Sequence, residues 1–234
     1  AERTGAIRHL TEYVLNKALQ QVSEWRADGL DVGVSVNVSS HDLTHLLPRR
    51  VSTLLAIWGV PSRALTLELT ETAFVSDPQT AATIVEELKS MEVRVAIDDF
   101  GTGYSSLGYL KRLPVDEIKI DRSFVANMAT DASDRMIVRS TIDLARNLQM
   151  GVVAEGIDSN ELWDALAEMG CGRGQGYLIG MPCGPDELRA IAQTAPEVVR
   201  SSELAPLLKA VGSDPLQRSA SPRTLREVPA RRTK

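Results

Sequence analysis

The chain has 234 residues, 43% of them hydrophobic and 24% charged, with a formal net charge of −5. That size and balance suit one ordinary globular domain with its own core, and exclude collagen-like, coiled-coil and wholly disordered chains. The acidic surplus argues against a nucleic-acid polymer as partner, no apolar run reaches the roughly 18 residues of a bilayer span, and Cys171 and Cys183 form no CxxC pair, which fits a reducing, cytoplasmic setting.

In chain order, residues 7–28 place Ile7, Leu10, Val14, Leu15, Ala18, Leu19, Val22 and Trp25 on one helical stripe, which Gly29 stops. A strand is predicted over 32–37, then a mostly helical stretch over 43–59 broken at Pro48. A second strand over 65–69 precedes a helix over 78–90. Strand 93–98 runs into a glycine-rich turn and a short helix around 105–111. Strand 116–120 leads through Arg122 to a helix over 133–148. Strand 150–154 is followed by a helix over 159–169. A last strand near 173–178 and a closing helix over 185–193 complete residues 1–195, the expected domain. Beyond it, residues 196–234 read as a disordered basic tail, in which 214–234 alone carry a surplus of four positive charges.

Strands alternating with helices imply parallel strands joined by right-handed crossovers. Both an open doubly wound sheet and a (β/α) barrel have that rhythm. The residues at the strand ends separate them. Asn37, Glu68, Asp98, Asp99, Asp121, Glu155 and Gln175 stand at the C-terminal ends of different strands. A barrel gathers its site from many strand ends, whereas an open sheet uses mainly one switch point. The expected fold is therefore an α/β barrel, two strands short of eight.

Several carboxylates facing one another require a cation or shared protons. An all-oxygen set suits Mg²⁺ or Mn²⁺ better than zinc. Two divalent ions are the usual means of activating water against a phosphodiester. Lys119, two residues before Asp121, points to the same face and can bond an anionic oxygen or serve as a counter-ion. His41 and His45 sit four apart but lack the glutamate of HExxH, and no GxSxG elbow occurs, so zinc-protease and serine-hydrolase readings find no support.

These residues lie in segments that resemble one family. VNVSSHDL (36–43), LTLELTET (65–72), VAIDDFGTGYSSLGYLKRLPVDEIKIDRSFV (95–125), VVAEGID (152–158) and GCGRGQGYLIGMP (170–182) match, in order, the EAL domain, the phosphodiesterase of cyclic di-GMP. The resemblance implies a TIM-like barrel and hydrolysis of cyclic di-GMP to linear pGpG in bacterial second-messenger signalling. It implies Asn37, Glu68, Asp98, Asp99 and Glu155 as ligands of two Mg²⁺ or Mn²⁺ ions. It makes Glu155 and Lys119 the groups that position or deprotonate the attacking water, and Asp121 and Gln175 the residues that shape the inner site. Glu71, Gly101, Thr102 and Gly103 would belong to the family's mobile loop, through which a homodimer forms.

Two features depart from the family. The Glu-Ala-Leu signature is absent from the 234 residues, as are the two strands that would raise six to eight, and Gly172 stands where the family often has Asp. The chain is therefore expected to be an EAL domain truncated at its N-terminus and impaired in turnover. The alternatives are a catalytically inactive module that binds cyclic di-GMP or a protein, and a non-functional fragment of a longer protein.

Overall fold

The alternation of strands and helices is present in the computed structural model, which describes residues 7–74, 77–103, 110–111 and 113–194. The elements are α1 (Ile7–Ala27), β1 (Val34–Val38), α2 (Leu47–Trp58), β2 (Leu65–Thr70), α3 (Pro78–Ser90), β3 (Arg94–Phe100), β4 (Glu117–Ile120), α4 (Arg122–Asn127), α5 (Ala132–Asn147), β5 (Gly151–Glu155), α6 (Asn160–Met169), β6 (Arg173–Gln175) and α7 (Pro185–Thr194). The basic tail and most of the helix expected around 105–111 lie outside the described residues.

Local chemistry sets the helix ends. Asp77 accepts the Thr80 amide at 3.1 Å, Asp131 the Ser133 and Asp134 amides at 2.7 and 3.2 Å, and Ser159 the Leu162 amide at 3.4 Å. Each side chain satisfies an amide that the first helical turn leaves unpaired. Gly59 and Gly170 close α2 and α6 in the left-handed conformation, at φ 62° and 80°. Pro48 does not break a helix. It sits in the first turn of α2, where no intrahelical amide bond is needed, so the helix begins there.

All five strand pairs are parallel, and the order is β1-β2-β3-β4-β5-β6. Strands laid down in sequence order by right-handed crossovers keep every connecting helix on one face, and no switch point arises. The sheet curls into half of a barrel. Among the described residues β1 and β6 each pair on one side only and not with each other.

Side chains alternate across this sheet. Val34, Val36, Val38, Leu65, Leu67, Leu69, Val95, Ile97, Ile118, Ile120, Val152 and Ala154 are buried on the face that the helices cover. Leu19, Val22 and Trp25 of α1, Ile84 and Leu88 of α3, Ile142 of α5 and Leu166 of α6 complete that core. The opposite, concave face carries Ser35, Glu68, Asp98, Glu117, Lys119 and Glu155, all buried. One sheet therefore has an apolar convex side and a charged concave side.

β6 is shorter than the strand expected over 173–178. The backbone of Ile157 lies where a Cβ of residue 176 would be, so only glycine fits. From there the chain turns: Leu178 donates its amide to Ile157 O at 3.0 Å, and Ile179 and Gly180 donate theirs to Gly176 O at 3.0 and 3.1 Å.

Candidate active site

Strand register brings the strand-end residues together. Asn37 pairs with Glu68 across β1 and β2, Thr70 with Asp98 across β2 and β3, and Glu155 with Gln175 across β5 and β6. Lys119 reaches inward from β4. Its Nζ lies 2.6 Å from Glu155 Oε1, 2.7 Å from Glu68 Oε2 and 3.0 Å from Asp98 Oδ1. Only 1% of the lysine is exposed. Four strands thus contribute one group each to a single buried ionic cluster.

Strict alternation would send Asp98 and Asp99 to opposite faces. A bulge prevents that. Ile97 pairs with Ile118 and Phe100 with Ile120, so three steps along β3 match two along β4. Asp99 absorbs the extra residue with φ at 53°, a left-handed conformation that is uncommon outside glycine. The two neighbouring carboxylates therefore reach the same site. Ligand atoms of Asp98, Asp99 and Glu155 all lie within 4.8 Å of one another.

The electrostatics follow from this crowding. Burial alone would push the Lys119 pKa down, but Glu68, Glu155 and Asp98 outweigh it and hold the ammonium well above its ordinary value. Burial raises the Glu68 pKa; Lys119 and the Ser35 hydroxyl oppose the rise without cancelling it. Asp99 is also raised, by burial and then by the charges of Asp98, Asp121 and Glu155. Asp121 goes the other way. Its partial burial is outweighed by the hydroxyl and amide of Ser123, and its carboxylate is held below the usual range. Asp121 also caps α4 by accepting the Ser123 amide at 2.9 Å.

The loop after β3 is anchored from β2. Glu71 is buried, and its Oε2 accepts the amides of Gly101 and Gly103 at 3.1 and 3.2 Å. A Cβ at residue 103 would stand 2.9 Å from the Glu71 carboxylate, which explains glycine there. Thr102 donates its hydroxyl to Asp99 O at 2.8 Å. The loop's start is therefore tied to the strained Asp99. Residues 104–109 lie outside the described residues.

Of the residues expected from the sequence, Glu68, Asp98, Lys119 and Glu155 form the ionic cluster, and Asp99 and Asp121 adjoin it. Gln175 is half-buried next to Glu155 in register, and Asn37 is exposed at the β1 edge. Two further concave-face residues, Glu117 and Arg173, form an ion pair below the cluster. The alternation in DEIK, which puts Glu117 on the face of Lys119, points to the first; nothing local points to Arg173.

Three carboxylates (Glu68, Asp98 and Glu155) thus contact one ammonium, and two more, Asp99 and Asp121, adjoin them. That excess of buried and half-buried negative charge, in oxygen ligands alone, fits a hard divalent cation.

The family model described as EAL domain matches residues 1–182. The bifunctional diguanylate cyclase/cyclic di-GMP phosphodiesterase MucR of Pseudomonas aeruginosa is 40% identical over 192 residues, which are 81% of this chain and 28% of that protein. A cyclic di-GMP phosphodiesterase of the same species is 35% identical over 190 residues, 80% of this chain and 32% of that protein. The chain therefore spans about a third of these relatives' length. The solved structure described as "PaMucR Phosphodiesterase, c-di-GMP complex" superposes with a TM-score of 0.78 at 39% identity, covering 80% of this chain and 77% of that one.

Proposed function

Because the chain belongs to the EAL domain family, we propose that it binds cyclic di-GMP and hydrolyses it to linear pGpG, with Mg²⁺ or Mn²⁺ held by its carboxylates. The observation that carries this reading is the cluster itself: carboxylates from β2, β3 and β5 and a single lysine, facing one another on the concave side of the sheet. A phosphodiester is anionic and would be repelled by that cluster alone. A pair of divalent ions would offset the surplus negative charge of these carboxylates over the one ammonium and let the anion approach.

Asp98, Asp99 and Glu155 are the ligands with the tightest geometry, and Glu68 and Asn37 extend the set along the neighbouring strands. When bound, a pair of such ions acidifies water and neutralises developing charge on the phosphate. Glu155 accepts the proton of the attacking water. Lys119 remains an ammonium throughout the neutral range, so it positions the water or donates to a phosphate oxygen and does not act as a base. The water adds to phosphorus, the bond to the 3′ oxygen breaks, and that oxygen takes a proton from solvent while Glu155 returns its own to solvent. Asp121 and Gln175 shape the inner wall. Glu71, through Gly101, Thr102 and Gly103, links the ligand Asp99 to the loop, and a homodimer forms through that loop. No described helix is long and apolar enough to cross a membrane, and the reaction belongs to the cytoplasm.

Turnover by these 234 residues alone is proposed to be weak, because the Asn37 ligand sits exposed on β1, which among the described residues pairs on one side only. The test is chromatography of cyclic di-GMP and its linear product. Slow conversion with Mn²⁺ or Mg²⁺, none in EDTA, and none after Glu155→Ala is the expected pattern. Metal-dependent binding without conversion would assign an inactive binding module, and neither binding nor conversion would end the reading.

A further inference from the structure

Below the ionic cluster, the concave face carries a second charged layer. Glu117 of β4 is buried and forms an ion pair with Arg173 of β6, whose side chain is 25% exposed. These strands are not neighbours: β5 runs between them, so the pair spans two strand spacings, roughly 9–10 Å of sheet. Such a bridge must pass over whatever β5 presents inward. β5 presents Gly151, the register partner of Glu117. A Cβ on residue 151 would lie 2.5 Å from Arg173 Nη2 and 3.4 Å from Glu117 Oε2. Glycine is not needed there for the backbone, since Gly151 is absent from the residues of positive φ and sits in a regular strand. It is needed because the guanidinium occupies the place of a side chain.

The bridge lands on the weakest strand of the sheet. β6 has three residues and, among the described residues, pairs with β5 alone. It nevertheless carries Gln175, which faces the same way as Arg173 two residues earlier and pairs in register with Glu155. The Gln175 carbonyl also accepts the Ile157 amide at 3.1 Å. A short edge strand with backbone pairing on one side opens easily. A side-chain tie to β4 opposes that opening.

We propose that Arg173 is a positioning residue: tied to Glu117 across the bare backbone of Gly151, it straps β6 to the sheet and so holds Gln175 at the height of the Glu155 cluster. The inference rests on the phosphodiesterase reading for its consequence, that Gln175 meets the dinucleotide. The strap itself stands on geometry alone. The ion pair of Arg173 is with Glu117, which is not one of the ligands Asp98, Asp99 and Glu155, so its loss should weaken dinucleotide binding while leaving metal uptake by those three unchanged.

The experiment uses the whole chain and three readouts: cyclic di-GMP affinity in Mn²⁺, Mn²⁺ affinity alone, and amide hydrogen exchange over residues 157–178. Arg173→Met leaves Glu117 buried without that partner, so Arg173→Met/Glu117→Gln is made beside it to keep the fold. Gly151→Val displaces the guanidinium while retaining both charges. All three variants should lose about tenfold in dinucleotide affinity, as misplaced site residues generally do, with Mn²⁺ affinity held. All three should exchange faster at the Gln175 and Ile157 amides. Arg173→Lys, which keeps a charged donor, should recover much of the affinity. Wild-type exchange and affinity in the double variant and in Gly151→Val would overturn the proposal. If the wild-type chain itself binds no cyclic di-GMP, the functional reading fails, and the exchange comparison still decides whether the strap exists.

Discussion

The two faces of the sheet are built from the same strands yet obey opposite rules. On the convex face, the residues from Val34 to Ala154 are aliphatic, nearly inaccessible, and covered by helices. Each such side chain contributes by leaving water, and any neighbour of similar volume would do nearly as well. On the concave face, Glu68, Asp98, Lys119 and Glu155 are as deeply buried but carry charge. Their burial is unfavourable by itself and is tolerated only through mutual pairing. Apolar packing resides in the convex face, and the clustered charges in the concave one. The concave face is also where an ion or ligand from outside can change the energy of the fold.

The sharpest way to break this contrast is Lys119→Met. It leaves three buried carboxylates without their shared cation and should cost about 3–5 kcal/mol in urea unfolding with EDTA present. The Lys119 pKa is raised in the fold, so the stabilisation it supplies is complete at neutral pH and lost only as pH rises through that elevated value. Mn²⁺ should restore more stability to the variant than it adds to the wild type, because it takes over the missing charge. Equal metal effects in the two proteins would contradict the assignment of the cluster as a cation site.

Leu67→Ala tests the convex face. Leu67 is fully buried between neighbouring strands, and its truncation should cost about 2–4 kcal/mol through lost transfer and a residual cavity. Here Mn²⁺ should add the same increment as in the wild type. A metal-specific rescue would show that the two faces are not independent.

A smaller effect is expected from pH. Burial raises the Glu117 pKa in spite of Arg173. The folded state therefore holds that proton more tightly than the unfolded chain does. Its contribution to stability falls as pH rises from the ordinary carboxylate range to the raised folded value. Glu117→Gln should flatten this part of the stability–pH curve measured by thermal unfolding. An unchanged slope would remove Glu117 as its source.

The smallest expected effect concerns the thiols. Cys171 is buried in the convex-side core, and its pKa is pushed up to about 11. Cys183 is half-buried and raised less. Brief alkylation of the native protein near pH 7, read by mass spectrometry, should label Cys183 slowly and Cys171 only after unfolding. Early labelling of Cys171 would mean that the core around α6 and β6 opens more readily than the apolar packing implies.

Much of this molecule is legible in its sequence because periodicity is a local property. The aliphatic alternation in LTLEL and VRVAID marks strands, the stripe from Leu10 to Trp25 marks a helix, and Gly29 marks its end. The segments from VNVSSHDL to GCGRGQGY identify the family and nominate Glu68, Asp98, Lys119 and Glu155. What the sequence by itself determined is thus the order of the elements, the polar residue at each strand end, and the class of chemistry those oxygen ligands allow. The tertiary structure decided how they meet. Alternation predicts opposite faces for Asp98 and Asp99, and only the bulge against β4, with Asp99 at φ 53°, brings both into one site. Only the register of β2, β3, β4 and β5 gives Lys119 its three carboxylates. Only the bare backbone of Gly151 lets Arg173 reach Glu117. These are contacts between residues far apart in the chain, fixed by strand pairing and available space, and no local pattern encodes them.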